Sequence, residues 1–250
     1  MNFKDKLADP ARMITGHVAV IPSAVTAQAM SVSGADFLVF DCEHGPVGPE
    51  SLHAMIAATQ GTGCAPLVRI PSIDENEVKR ALDAGAEGIC FPLARSVADA
   101  ERAVASLRYP PHGTRGWGPF VAHSRWNTGL FDYLPGPGTK TVCMLLIETI
   151  GALENIEDIC AVEGVDCMVL APFDLSTELG VPGQLDHPLM TEANARIEAA
   201  AKKAGMPLGG VAFTEEQAQD LKAKGYRILA NFDVLMLKRA TAQVAEWARA

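Results

Sequence analysis

Short apolar runs rich in β-branched residues recur along the chain, and each is followed by a segment whose apolar positions fall at helical spacing. Eight such runs can be traced: His17–Ile21, Phe37–Asp41, Leu67–Ile70, Gly88–Pro92, Thr141–Ile147, Cys167–Ala171, Leu208–Phe213 and Arg227–Ala230. Several lack polar alternation, as expected of strands buried on both faces by covering helices. The pattern predicts consecutive βα units around a parallel sheet. Eight units in 250 residues match the size of a (β/α)8 barrel, about 250 residues, so the expected organisation is one barrel domain over 1–250. A doubly wound sheet is the competing architecture, but no GxGxxG follows the first run.

Local signals punctuate the units. Ser72 followed by Glu75, and Thr214 followed by Gln217, read as capping boxes. Gly205 stands where a left-handed residue would end a helix running from about Thr191. Leu153, Ile156 and Ile159 repeat at helical spacing, and the charged Met1–Pro10 start also reads as helical. Two irregular stretches break the alternation. Tyr109–Trp126, rich in Pro, Gly and aromatics, is expected on the face where barrel active sites form, with a packed surface loop as the plainer reading. Phe131–Lys140 reads as a connector.

Composition narrows the function. Thirty acidic against 21 basic residues give a net charge of −9, which disfavours nucleic acid and anionic membrane partners. No apolar stretch is long enough to span a bilayer, so a cytoplasmic protein is expected. The six cysteines form no CxxC pair and mostly lie in or beside apolar runs, which predicts reduced core thiols.

In a barrel the chemistry gathers at the carboxyl ends of the strands. The second run leads into FDCEHG, supplying Asp41, Glu43 and His44; the third ends at Arg69; the fifth is followed by Glu148; the sixth leads through APFD to Asp174. Glu148 and Asp174 are one βα unit apart and can share a hard divalent cation, Mg²⁺ or Mn²⁺, or can merely cap helices. Zinc is disfavoured because no second His or Cys joins them. His44 can serve as a general base or hold a structural role. Arg69 needs an anionic partner, either a ligand or one of Asp41, Glu43 and Asp83. His112 and His123, in the long loop, are further candidates for substrate contact. No lysine falls at a strand end suited to Schiff-base chemistry, and no GxSxG or P-loop is present.

FDCEHG (40–45), VRIP (68–71), LDAGAEGICFP (82–92), RYPPHGTRG (108–116), IETIGALENIEDI (147–159) and GVDCMVLAPFDLSTELG (164–180) together resemble the HpcH/HpaI aldolase family over essentially the whole chain. The resemblance implies a class II aldolase that cleaves a 4-hydroxy-2-oxo acid to pyruvate and an aldehyde. The acid would be 4-hydroxy-2-oxoheptanedioate, from aromatic catabolism, or a 2-keto-3-deoxy sugar acid, with hydroxypyruvate as an alternative donor. It implies a divalent metal, Mg²⁺ or Mn²⁺ with Co²⁺ also admissible, on Glu148 and Asp174. Arg69 would stabilise the enolate. His44 would be the acid/base residue, with Asp41 beside it and Asp83 raising its basicity. Backbone N–H groups around Phe173 would bind the pyruvate carboxylate. It further implies a homohexamer, a trimer of dimers, in which the C-terminal helix, Leu235–Ala250, is exchanged between subunits. One departure stands out: Leu146 occupies a position where many relatives carry a substrate-contacting Gln. A metal-enolate lyase acting on a CoA thioester and a non-catalytic barrel are the alternatives.

Overall fold

The computed structural model describes residues 2–249; Met1 and Ala250, the outer ends of two segments considered above, lie outside the described residues. Eight parallel strands close into a barrel in chain order: β1 Ile14–Ala19, β2 Phe37–Asp41, β3 Ala65–Arg69, β4 Gly88–Phe91, β5 Val142–Ile147, β6 Cys167–Leu170, β7 Leu208–Val211 and β8 Ile228–Phe232. The pairing of β8 with β1 closes the ring, which excludes an open doubly wound sheet. All eight apolar runs carry a strand. The first begins at Ile14 rather than His17, and the seventh stops at Val211, short of Phe213.

Helices fill the intervals. α1 Phe3–Ala8 precedes the barrel; α2 Ala24–Val32, α3 Pro49–Ala58, α4 Glu75–Asp83 and α5 Val97–Leu107 follow the first four strands. A short α6, Ala122–Arg125, lies in the long segment before β5; α7 Ile150–Glu154 and α8 Ile156–Ile159 follow β5. α9 Pro172–Glu178, α10 Pro188–Ala204, α11 Glu215–Ala223 and α12 Asp233–Trp247 complete the chain. Alternation along each strand builds two apolar layers. Phe37, Val39, Leu67, Met144, Leu146 and Val169 belong to the cluster inside the barrel, while Leu38, Phe40, Val68 and Leu145 pack with the helices outside it.

The caps show where local chemistry prevails. Thr214 caps α11, accepting from the N–H of Gln217 at 3.2 Å, and Gly205 ends α10 at φ 67°. Ser72 caps nothing: Asp74 takes that role, accepting from the N–H groups of Asn76 and Glu77. The carbonyl of Ser72 instead accepts from the N–H of Asp74 in the preceding turn. α10 starts at Pro188, earlier than Thr191, because His187 caps it and proline suits the first helical position. The Leu153–Ile159 pattern is divided between α7 and α8 at Asn155.

The segment from Tyr109 to Trp126 lies at the opposite end from the one expected. It runs from the end of α5 back to the start of β5, so it belongs to the amino end of the barrel. There Arg115 donates to Asp83 at the end of α4 (2.8 Å), and Arg125 donates to Thr59 just past α3 (2.8 Å). His112 and His123 lie in this segment and are therefore removed from the strand ends that carry the other candidates. Phe131–Lys140 is more than a connector, since Tyr133 is fully buried beside the Arg115 guanidinium.

The barrel wall also depends on empty space. A Cβ built on Gly16 would stand 2.3 Å from the carbonyl oxygen of Phe37 and 2.6 Å from its ring. Gly16→Ala should therefore destabilise the fold by about 1–3 kcal/mol, the range for overpacking, as read from the urea unfolding midpoint; an unchanged midpoint would show that Phe37 can yield.

Candidate functional site at the carboxyl end of the barrel

The mouth of the barrel is organised by a buried ion pair between neighbouring strands. Register places Asp41, the last residue of β2, opposite Arg69, the last residue of β3. Asp41 accepts from Arg69 Nε at 2.9 Å and Nη2 at 2.6 Å, the two-pronged geometry that a planar guanidinium favours. It also accepts the backbone N–H groups of Glu43 (3.1 Å) and His44 (3.2 Å), fixing the turn after β2. Burial alone would raise the Asp41 pKa, but the bonds and charge of Arg69, aided by those two N–H groups, hold it below the usual carboxylate range. The same pairing raises the pKa of Arg69 despite burial.

Asp41 thus orients the backbone of His44 and not its ring. The carboxylate near the imidazole is Glu43, whose Oε2 lies 3.8 Å from His44 Nε2 and 3.3 Å from Arg69 Nε. Burial, only partly offset by Arg69 and His44, raises the Glu43 pKa. The His44 side chain is 63% exposed at the rim, open to an incoming molecule.

Glu148 follows β5 directly and is 2% exposed. Its Oε1 accepts the N–H of Leu93 at 2.6 Å; Leu93, in the loop after β4, adopts φ 57°, which is uncommon for a side-chain-bearing residue. The next residue, Thr149, caps α7 by accepting from the N–H of Ala152 while its hydroxyl donates to the carbonyl of Ala94. Glu148 is therefore not itself a cap. Burial raises its pKa to about 7, with the charges of Asp174 and Glu43 adding to the effect and the Leu93 N–H opposing it. Asp174 is an exposed residue in the first turn of α9. Four carboxylates, Asp41, Glu43, Glu148 and Asp174, thus share the mouth with one guanidinium, and Arg69 is already committed to two of them.

That imbalance, with an all-oxygen donor set, suits a hard divalent cation. Among the described residues no three His, Cys, Asp or Glu side chains meet as a ready cluster; Glu148 after β5 and Asp174 after the neighbouring β6 are the candidates to hold such an ion. Octahedral ions held by few carboxylates complete their shell with water and substrate oxygens. Beneath the mouth lies an apolar pocket that includes Arg69 and Asp174 at its upper edge and Leu146, Cys90, Met144 and Val169 in its wall. α9 has no side-chain cap and begins with Pro172, which leaves the N–H groups of Phe173 and Asp174 at its first turn. The Phe173 ring packs at a tilt against Phe213, with centroids 6.3 Å apart.

One expected neighbour is not there. Asp83 ends α4 at the amino end of the barrel and is bound to Arg115, so within one chain it cannot stand beside His44. The reason is topological: the end of a helix returns the chain to the start of the next strand. Two features had no sequence signal to reveal them. The Leu93 amide depends on a backbone conformation, and the bridging of Arg69 and His44 by Glu43 depends on side-chain placement.

A family model described as HpcH/HpaI aldolase/citrate lyase matches residues 21–238. The chain is 37% identical over 208 residues to the 2-dehydro-3,6-dideoxy-6-sulfogluconate aldolase of Pseudomonas putida, covering 83% of this chain and 81% of that protein. It is 33% identical over 228 residues to the hydroxypyruvate/pyruvate aldolase of Sagittula stellata, covering 90% and 89%. The crystal structure of a HpcH/HpaI aldolase/citrate lyase family protein from Burkholderia cenocepacia superposes with a TM-score of 0.92 at 32% identity, covering 99% of this chain and 98% of that one.

Because a buried ion pair broken on one side leaves a charge unpaired, Asp41→Asn should destabilise the protein by about 3–5 kcal/mol near neutral pH. A depressed folded-state pKa gives stability that is present above the ordinary value of 3.8 and lost as pH falls through the folded value. The gap between wild type and Asp41→Asn should therefore narrow in acid, below about pH 4, in urea titrations across pH. A gap independent of pH would detach Asp41 from this ion pair.

Proposed function

The chain belongs to the HpcH/HpaI aldolase/citrate lyase family, and on that premise we propose that it is a divalent-metal-dependent aldolase cleaving 4-hydroxy-2-oxo acids to pyruvate and an aldehyde. The observation that carries this reading is the buried Glu148 carboxylate directly after β5, with Asp174 in the first turn of the helix after the neighbouring β6, Arg69 anchored nearby and no lysine among them. Glu148 and Asp174 would hold the cation, Mg²⁺ or Mn²⁺ with Co²⁺ also suited. When bound, it would supply Lewis-acid charge to the oxygens of a 2-oxo acid.

The protein's own groups account for the remaining chemistry. The N–H groups of Phe173 and Asp174 at the first turn of α9 suit the carboxylate end of the substrate. Arg69, held rigid by Asp41, keeps Nη1 outside its two-pronged pair and can stabilise the negative charge that develops on the 2-oxo oxygen as the C3–C4 bond breaks. His44, at the rim, takes the proton of the C4 hydroxyl in cleavage and returns it in synthesis, with Glu43 the nearby carboxylate. Where a glutamine could donate to the substrate, Leu146 presents an apolar surface, 6% exposed. Donor and acceptor are then selected by shape and by the aromatic pair Phe173 and Phe213.

The relatives named for a sulfogluconate and for hydroxypyruvate support a sugar-acid type of substrate over an aromatic-degradation intermediate, with hydroxypyruvate as an alternative donor. A homohexamer, a trimer of dimers, with α12 exchanged between subunits is supported by the exposed apolar face of that helix, where Leu237 is 58% and Trp247 67% exposed. Six unbridged cysteines support a reducing, cytoplasmic setting, and no helix among the described residues is long and apolar enough to cross a membrane.

Release of pyruvate from 2-keto-3-deoxy sugar acids, followed by coupled lactate dehydrogenase, tests the reading. Turnover should require Mn²⁺ or Mg²⁺ and vanish with chelator. His44→Ala should lower the rate by roughly 10²–10⁴, and Arg69→Lys should also lose most activity because an ammonium cannot reproduce the fork. Chelator-resistant cleavage would overturn the metal assignment. Unchanged kinetics in either variant would move its role to another group.

A further inference from the structure

The loops that carry the metal-site carboxylates are stitched together step by step. Leu93 donates its N–H to Glu148, Thr149 donates its hydroxyl to the carbonyl of Ala94 at 2.6 Å, and Gly151 lies so close to the next residue that a Cβ there would stand 2.5 Å from the carbonyl oxygen of Arg95. These contacts join the loop after β4 to the loop after β5 and leave Asp174, on α9, untouched. The tie to α9 comes from Arg95 itself. Its Nη1 and Nη2 donate to the two carboxylate oxygens of Glu178 at 3.3 and 3.2 Å, and the N–H of Ile150 approaches Oε2 of the same carboxylate at 3.4 Å. Glu178 stands one helical turn after Asp174, and Ile150 two residues after Glu148. One carboxylate therefore connects all three segments that shape the metal site.

We infer that Arg95 and Glu178 are positioning residues, a clamp outside the site that sets the separation of Glu148 and Asp174. The inference rests on the metal-site reading above. The pair is partly exposed, with side chains 54% and 32% accessible, so it adds little to the stability of the fold, and its effect belongs to geometry.

Opposite charges make the clamp separable from a simple electrostatic effect. If the pair acted on the cation only through space, Arg95→Gln would tighten cation binding and Glu178→Gln would weaken it. A clamp predicts that both weaken it, because each removes the same tie. Mn²⁺ binding to the chelator-stripped full chain, followed by the electron paramagnetic resonance of free Mn²⁺, reads this directly. We expect each variant to bind about tenfold more weakly, the lower end of the loss seen when groups that orient metal ligands are removed. The double variant should be no weaker than either single one, and melting without metal should stay close to wild type. Arg95→Gln binding as tightly as wild type, or additive losses in the double variant, would overturn the clamp while the metal site stood. Absence of Mn²⁺ binding by the wild type would overturn both.

Discussion

A carboxylate buried at a strand end holds on to its proton above the usual carboxylate range unless a positive charge joins it, and Glu148 sets that condition at the mouth of this barrel. It follows a fully buried strand, is itself 2% exposed, and accepts the N–H of Leu93. The guanidinium nearby is held elsewhere, by Asp41 across the β2–β3 register and by Glu43 beside it. Asp174 adds further negative charge. In the proposed reading a divalent cation would answer these demands, and its need for oxygen ligands beyond two carboxylates would open the site to a 2-oxo acid.

The ion pair between Asp41 and Arg69 gives the same site its rigidity. An arginine at the mouth would otherwise be drawn to Glu148 and neutralise it, so binding both of its prongs to Asp41 keeps the anionic centre intact while leaving part of the guanidinium facing the mouth. Asp41 also accepts from the backbone of the turn that carries His44. One buried carboxylate thus fixes both Arg69 and the turn that carries His44, the two groups proposed to stabilise charge and to move the proton. Electrostatic stabilisation of this kind works because the dipoles and charges are set before the reaction begins.

Much of this was legible in the sequence because strand ends in a parallel barrel converge on one face. Eight apolar runs predicted eight strands, and Asp41, His44, Arg69, Glu148 and Asp174 are polar residues that end or follow them. The rest depended on which end of the barrel a connection occupies. Tyr109–Trp126 is rich in the residues that functional loops use, yet it joins a helix to the following strand and so lies at the amino end, together with Asp83 and Arg115. A count of strands and helices distinguishes the two ends only once helix boundaries are known. The Leu93 conformation, the bridging position of Glu43 and the reach of Arg95 to Glu178 are set by packing among segments distant in sequence, which no single-sequence pattern records. Leu146 was legible as a departure from relatives, and its place in the apolar wall gives that departure its physical meaning.

The most direct test of the central claim is exchange of the pyruvate methyl protons in D₂O, followed by proton NMR with chelator-stripped protein and then with Mn²⁺ or Mg²⁺ restored. This needs no aldehyde and isolates removal of a proton from C3. The account predicts exchange that appears only with protein and metal together and is lost in Glu148→Gln. Exchange that proceeds without metal, or that persists undiminished in Glu148→Gln, would contradict it.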